Sequence, residues 1–208
     1  MTVTLLHHTP LWIVDKAIGK CWNKPTPDVV DFPGMGISST RPGCNTERIE
    51  RVANKHKHAS TIEHLSYNFD IDGISRALLQ ELARHRMASL SVKSSRYTLK
   101  ELKDVGPKGV VDFFVPTNNV LVDSGIKKAL WNVQDMLNVG ISNDIVKYAL
   151  PESYKTSLVW TINARSLQNF LALRTSKAAL WEIRDLANEV YNALPEDHKF
   201  LFTDSIQS

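Results

Sequence analysis

The densest gathering of polar side chains is Arg84-His85-Arg86, followed after seven residues by Ser94-Ser95-Arg96-Tyr97. Two arginines flanking a histidine supply fixed positive charge. Each guanidinium is a planar fork that pairs with a phosphate or a pyrimidine carbonyl. Ser94 and Ser95 add hydroxyls and backbone N–H groups that suit the same kind of anion. The plainer reading is a solvated basic face at a helix C-terminus, where cations are favoured. The run alone allows both.

A second cluster lies near the C-terminus. Leu167, Phe170, Leu171, Ala178 and Trp181 recur at helical spacing, and Arg174 falls on their stripe. An unpaired buried arginine is very costly, so Arg174 must either pair with an acid or face a ligand. Arg165 and Asn169, four apart, share a neighbouring face, either for a ligand or as surface decoration. Asn163 is a natural N-cap for the helix that carries them. A third cluster holds His56, His58, Glu63 and His64 without a recognised ligand spacing, so no metal is expected. His58 and Glu63 are expected to bond a ligand or each other.

Several motifs are absent: the Gly-rich dinucleotide loop, the P-loop, the nucleophile elbow and HExxH. Cys21 and Cys44 have neither the number nor the spacing of a zinc site or a disulfide framework. A bridge between them stays open, but a reduced cytoplasmic compartment fits better. The formal net charge of +3 does not call for nucleic acid or an anionic membrane. No apolar run approaches the roughly 20 residues of a membrane-spanning helix, and no signal peptide is expected.

The elements that must position these residues follow from periodicity. Val3 to Thr9 reads as a strand, and Pro10 opens a helix towards Trp22. Lys24 to Cys44, with four prolines and three glycines, reads as a long loop. Thr46 to His56 is a helix with Ile49, Val52 and Ala53 on one side. Leu65 to Ile71 alternates as a half-buried strand ended by Asp72-Gly73, with Tyr67 and Phe69 expected on opposite faces and one of them in the core. Ile74 to Met87 is a helix, and Ala88 to Tyr97 a loop entering a strand. Val105 to Pro116 is a linker, and Leu121 to Val139 an amphipathic helix. Asn143 to Leu150 is a short helix stopped by Pro151, Ser157 to Ile162 is β-prone, and one long helix runs from Ala164 to Ala193. The 208 residues at 43% apolar content suit one α+β domain, residues 1–208.

Arg-His-Arg-x7-Ser, here RHRMASLSVKS, resembles the signature of flavin-dependent thymidylate synthases. HASTIEH at His58 to His64 resembles that family's flavin-contacting segment, and NARSLQNFLALR at Asn163 to Arg174 its second conserved block. The order and spacing of the three blocks match as well.

The resemblance implies an α+β fold, with helices around a small, mostly antiparallel sheet, in a cytoplasmic homotetramer whose sites are shared between subunits. It implies synthesis of dTMP from dUMP, with methylenetetrahydrofolate as carbon donor, FAD as hydride carrier and NADPH as reductant. His58, Ser60, Glu63, Arg84, His85, Arg86, Asn163, Arg165 and Asn169 would contact FAD. Gln80, Glu81, Arg84, Ser94, Ser95, Arg96, Lys147 and Arg174 would contact the nucleotide, with Arg174 catalytic at the uracil. The sequence departs from the family at Glu81, where glutamine is common, at Val92-Lys93, at Ser95, at Ala178, and at Lys147, a point charge in place of a forked arginine. Two rival readings stand beside this one. In the first, the same scaffold leaves a hydroxymethyl group on the pyrimidine. In the second, a non-catalytic protein binds nucleic acid through Arg84, Arg86, Lys93 and Arg96.

Overall fold

The computed structural model describes residues 1–23, 44–103, 105–106 and 109–207. Most of the loop expected over Lys24 to Cys44 therefore lies outside the described residues. Helices surround a small antiparallel sheet, an α+β arrangement. Among the described residues the sheet has four strands, β1 (Thr2–His8), β2 (Ser66–Ser75), β3 (Ala88–Val92) and β4 (Lys155–Asn163), in the order β1-β2-β4-β3.

The chain divides into two compact units. One comprises Met1, Ile71–Arg84 and Ser91–Leu158. It holds α3 (Arg76–Leu82), α4 (Ser95–Thr98), α5 (Val120–Asn138) and α6 (Asn143–Val146). In α5, Ile126, Leu130, Val133 and Leu137 are buried at intervals of four, three and four, one face of a helix. They pack with Leu99, Leu102, Val110, Phe114, Val146 and Tyr154. Asn119 caps α5 by accepting from the N–H groups of Leu121 and Val122 at 3.1 and 3.2 Å. Gln134 donates to the carbonyls of Leu102 and Val105, tying the expected linker to α5.

The other unit comprises Thr2–Asp70, His85–Leu90 and Val159–Ser208. It contains α1 (Trp12–Cys21), α2 (Thr46–Glu50), α7 (Ala164–Arg174) and α8 (Trp181–Asn192). Its core includes an aromatic row in which Phe202, Tyr67, Phe69, Trp160 and Phe170 meet in successive pairs with ring centroids 5.0–6.3 Å apart. Tyr67 and Phe69 are both fully buried. Two apart on a strand, they share one face, so the expectation that only one enters the core was wrong. Asp15, buried on α1, accepts from Arg48 on α2 at 2.8 Å.

Other boundaries move for physical reasons. The long C-terminal helix is two helices. Thr175 turns its hydroxyl back onto the Leu171 carbonyl at 2.7 Å and accepts from the Gln207 N–H at 2.9 Å, which ends α7. Ala178 and Trp181 are exposed and do not continue the stripe of Leu167, Phe170 and Leu171. Strand β2 passes Asp72-Gly73 and reaches Ser75, because Gly73 adopts a φ of +74° without side-chain penalty. Ser75 then caps α3, accepting from Leu78 N–H at 2.9 Å. Helix α3 stops at Leu82, five residues before the expected end, with Ala83 and Arg84 in a turn after it. Ala88 to Val92 is a strand, not a loop, and Ser95 to Thr98 after it is helical. The helix begun at Thr46 continues from Arg51 to Lys55 as a π-helical turn.

Candidate active site

Helix α7 organises the second unit's polar cluster. Asn163 is its N-cap, accepting from Ser166 N–H at 2.9 Å, as the sequence suggested. The Ala164 N–H donates to the Leu65 carbonyl at 2.9 Å, which ties the helix start to the chain beside the 3-10 turn Ala59–His64. From the first turn, Arg165 Nη1 reaches Glu63 Oε1 at 2.5 Å. Glu63 is thus bonded to Arg165 rather than to His58. The backbone carbonyl of His58 accepts from the Thr61 hydroxyl at 2.9 Å, and the His58, Ser60 and Asn169 side chains are exposed.

Arg174 closes the other end of α7. Nine residues of helical rise, about 14 Å, separate it from Arg165. Its Nε donates to Nε2 of His85 at 3.0 Å. Neither alternative from the sequence, an acid or a ligand, anticipated this histidine. His85 stands edge-on to Phe170, centroids 5.0 Å apart and planes at 80°. Phe170 in turn meets Trp160 at 5.0 Å and 67°. His85 lies in the irregular segment between α3 and β3, with Arg86 exposed beside it.

The first unit holds the other candidates. Gln80 Nε2 donates to Glu152 Oε2 at 2.8 Å, and Arg84 lies 3.6 Å from Glu81. Arg96 Nε pairs with Asp144 on α6 at 2.9 Å, and its carbonyl accepts from the Asn143 amide at 2.9 Å. Lys93 pairs with Glu101 at 2.9 Å. Lys147 stands over its neighbour Tyr148, 5.5 Å from the ring centre. Ser94 and Ser95 begin α4, with the Ser94 carbonyl accepting from Thr98. These ion pairs are solvent-exposed and each contributes about 0–1 kcal/mol.

Burial tunes groups outside both clusters. It pushes the Cys44 thiol up to about 11, with the Asp15 carboxylate adding to the effect. His198, fully buried, is held down at about 4 by desolvation. Its Nδ1 is hydrogen-bonded to the Tyr67 hydroxyl at 2.8 Å, and its Nε2 has no hydrogen-bond partner among the described residues. Cys21 and Cys44 are not bridged.

The family described as thymidylate synthase complementing protein matches residues 4–198. A flavin-dependent thymidylate synthase of Wolinella succinogenes is 54% identical over 97% of each chain. The chain belongs to the flavin-dependent thymidylate synthases. Those of Campylobacter jejuni and Helicobacter pylori are 51% and 47% identical, over 97% and 100% of this chain and 96% and 100% of theirs. The crystal structure of thymidylate synthase X from Helicobacter pylori with FAD and dUMP superposes with a TM-score of 0.87, at 46% identity over all of both chains. A second Helicobacter pylori structure, also complexed with FAD and dUMP, gives 0.86.

Membership makes this chain an enzyme and a flavoprotein. The two units divide the sequence-derived candidates between them. His58, Ser60, Glu63, His85, Arg86, Asn163, Arg165, Asn169 and Arg174 fall in one unit, and Gln80, Glu81, Arg84, Ser94, Ser95, Arg96 and Lys147 in the other. Sequence reasoning missed the acids that meet these candidates in the thymidylate synthase: Asp144 on Arg96, Glu101 on Lys93 and Glu152 on Gln80. Asp144 and Glu152 are remote from their partners in the chain, and Glu101, eight residues from Lys93, carries no local signature. Phe170 was read as core, and its period gave no hint that it backs a histidine.

Proposed function

We propose that the chain makes dTMP from dUMP by reductive methylation, with methylenetetrahydrofolate as carbon donor, FAD as hydride carrier and NADPH as reductant. The observation that carries this reading is the placement of Arg174, an always-charged group whose fork is held by His85 at 3.0 Å. Carbon 5 of uracil is a poor nucleophile. A guanidinium aimed at the uracil edge stabilises the charge that develops as N3 loses its proton or the ring becomes enolate-like.

The donor set in the second unit fits FAD. Exposed Ser60, Arg86, Arg165 and Asn169 offer neutral and charge-assisted hydrogen bonds to a dinucleotide's phosphates and ring edges. His58, Glu63, His85 and Asn163, with Arg84, complete the flavin contacts in this reading. FAD when bound supplies the hydride; the protein positions the partners and tunes the charge. Ser94, Ser95 and Arg96 hold the nucleotide phosphate, with Gln80, Glu81, Arg84 and Lys147 around it.

The family match runs through residues of both units, which supports reading residues 1–208 as one functional domain. We place the enzyme in a cytoplasmic homotetramer with sites shared between subunits. Val120, Leu121 and Tyr148, at 84–86% exposure, are apolar surface that a second copy would cover. Two unbridged cysteines suit a reducing compartment.

Arg174→Ala tests the reading. The variant should keep its flavin absorbance while turnover falls roughly 100- to 1,000-fold. Near-normal turnover would refute the role given to Arg174.

A further inference from the structure

We propose that His85 is a positioning residue for Arg174: its ring, locked as the tautomer protonated on Nδ1, sets the plane of the guanidinium. The inference rests on the function proposed above and deepens it. Arg174 is the last residue of α7, where the backbone no longer constrains a long side chain, and four rotatable bonds separate its fork from Cα. A group that must face one edge of a pyrimidine needs a second anchor. His85 provides it. Nε2 accepts from Arg174 Nε–H at 3.0 Å, so that nitrogen carries no proton and the ring proton sits on Nδ1.

The histidine is itself anchored. Its edge-on contact with Phe170, four residues before Arg174 on the same helix, fixes the ring from the helix side. Phe170 is fully buried and packs on Trp160, which packs on Phe69, so the anchor ends in the rigid core. Sequence separation makes the arrangement informative. The contact joins residues 89 apart, one in the Arg-His-Arg run and one at the end of α7. Substitution at the histidine therefore acts on chemistry through a residue of another block.

Imidazole in water favours the proton on Nε2, so the opposite tautomer is diagnostic. Nitrogen-15 spectra of the holoenzyme labelled at histidine should show His85 as the Nδ1–H tautomer, reverting in Arg174→Ala. An Nε2–H tautomer in the wild type, or a spectrum unmoved by Arg174→Ala, would overturn the proposal. This arm needs no turnover, so it stands even if the wild type makes no thymidylate and the functional reading fails.

Kinetics give the second arm. His85→Ala should lower kcat about 100-fold. His85→Gln, whose side-chain oxygen restores an acceptor near the place of Nε2, should recover to within about fivefold of wild type. His85→Ala should add little to Arg174→Ala, because residues that act as a unit are not additive. A Gln variant as poor as Ala, or losses that multiply, would contradict positioning.

Discussion

Arg165 and Glu63, 102 residues apart, meet through Nη1 and Oε1 at 2.5 Å and join two of the blocks that the sequence singled out. Their side chains are 57% and 44% exposed, so the pair is a weak stabiliser that a ligand can reach. Arg165→Ala should cost less than about 1 kcal/mol in chemical denaturation. Flavin affinity should fall about tenfold or more, since a charge-assisted hydrogen bond contributes roughly 1.5–3 kcal/mol. Fluorescence titration of the apoprotein measures it, and unchanged affinity would remove Arg165 from the flavin site.

Asn163 is an N-cap before it is anything else. Asn163→Ala should destabilise the protein by about 1 kcal/mol, while Asn163→Asp, which keeps the accepting oxygen, should lose much less. Urea midpoints separate the two. Equal losses would mean that the amide nitrogen, and not the cap, carries the residue's weight.

The buried His198 ties stability to pH. Its folded pKa lies near 4 because burial disfavours the charged ring, against 6.5 when exposed. The folded state thus binds fewer protons, so the contribution is complete above pH 6.5 and is lost as pH falls towards about 4. At ~1.4 kcal/mol per unit the loss reaches on the order of 3 kcal/mol. His8, edge-on to His198 at 4.9 Å, is shifted down as well, first by burial. Urea midpoints should fall between about pH 7 and about pH 5, and His198→Gln should flatten the trend. Equal slopes in both proteins would assign the effect to other groups.

Cysteine chemistry is not needed for this reaction scheme. Cys44 stays protonated at neutral pH, its thiol pushed up to about 11, and a thiol is a poor nucleophile. Replacing both Cys21 and Cys44 by Ala should leave turnover within about threefold of wild type. Complete loss in a folded variant would point to a cysteine nucleophile and a different mechanism.

The sequence made local features legible and remote partners invisible. Asn163 as a cap, the buried face of α5 and the alternation of β2 are set by neighbours in the chain, and each was readable from spacing. The Arg-His-Arg run read as a helix end, because nothing local revealed that α3 stops at Leu82 and that Ala88 to Val92 joins a sheet. Arg174 stood out as a charge on an apolar stripe. Its partner was not readable, since His85 is brought to it only by the tertiary fold. The break between α7 and α8 was equally hidden: it depends on Thr175 bonding back to Leu171 and on Gln207 reaching Thr175.

The most direct test of the central claim is the product. The flavin-loaded protein, reduced and kept anaerobic, is incubated with dUMP and methylenetetrahydrofolate, and the nucleotide is weighed by mass spectrometry. A gain of one methyl group, giving dTMP, is the expected result. Unchanged dUMP, or a nucleotide carrying a hydroxymethyl group, would contradict it.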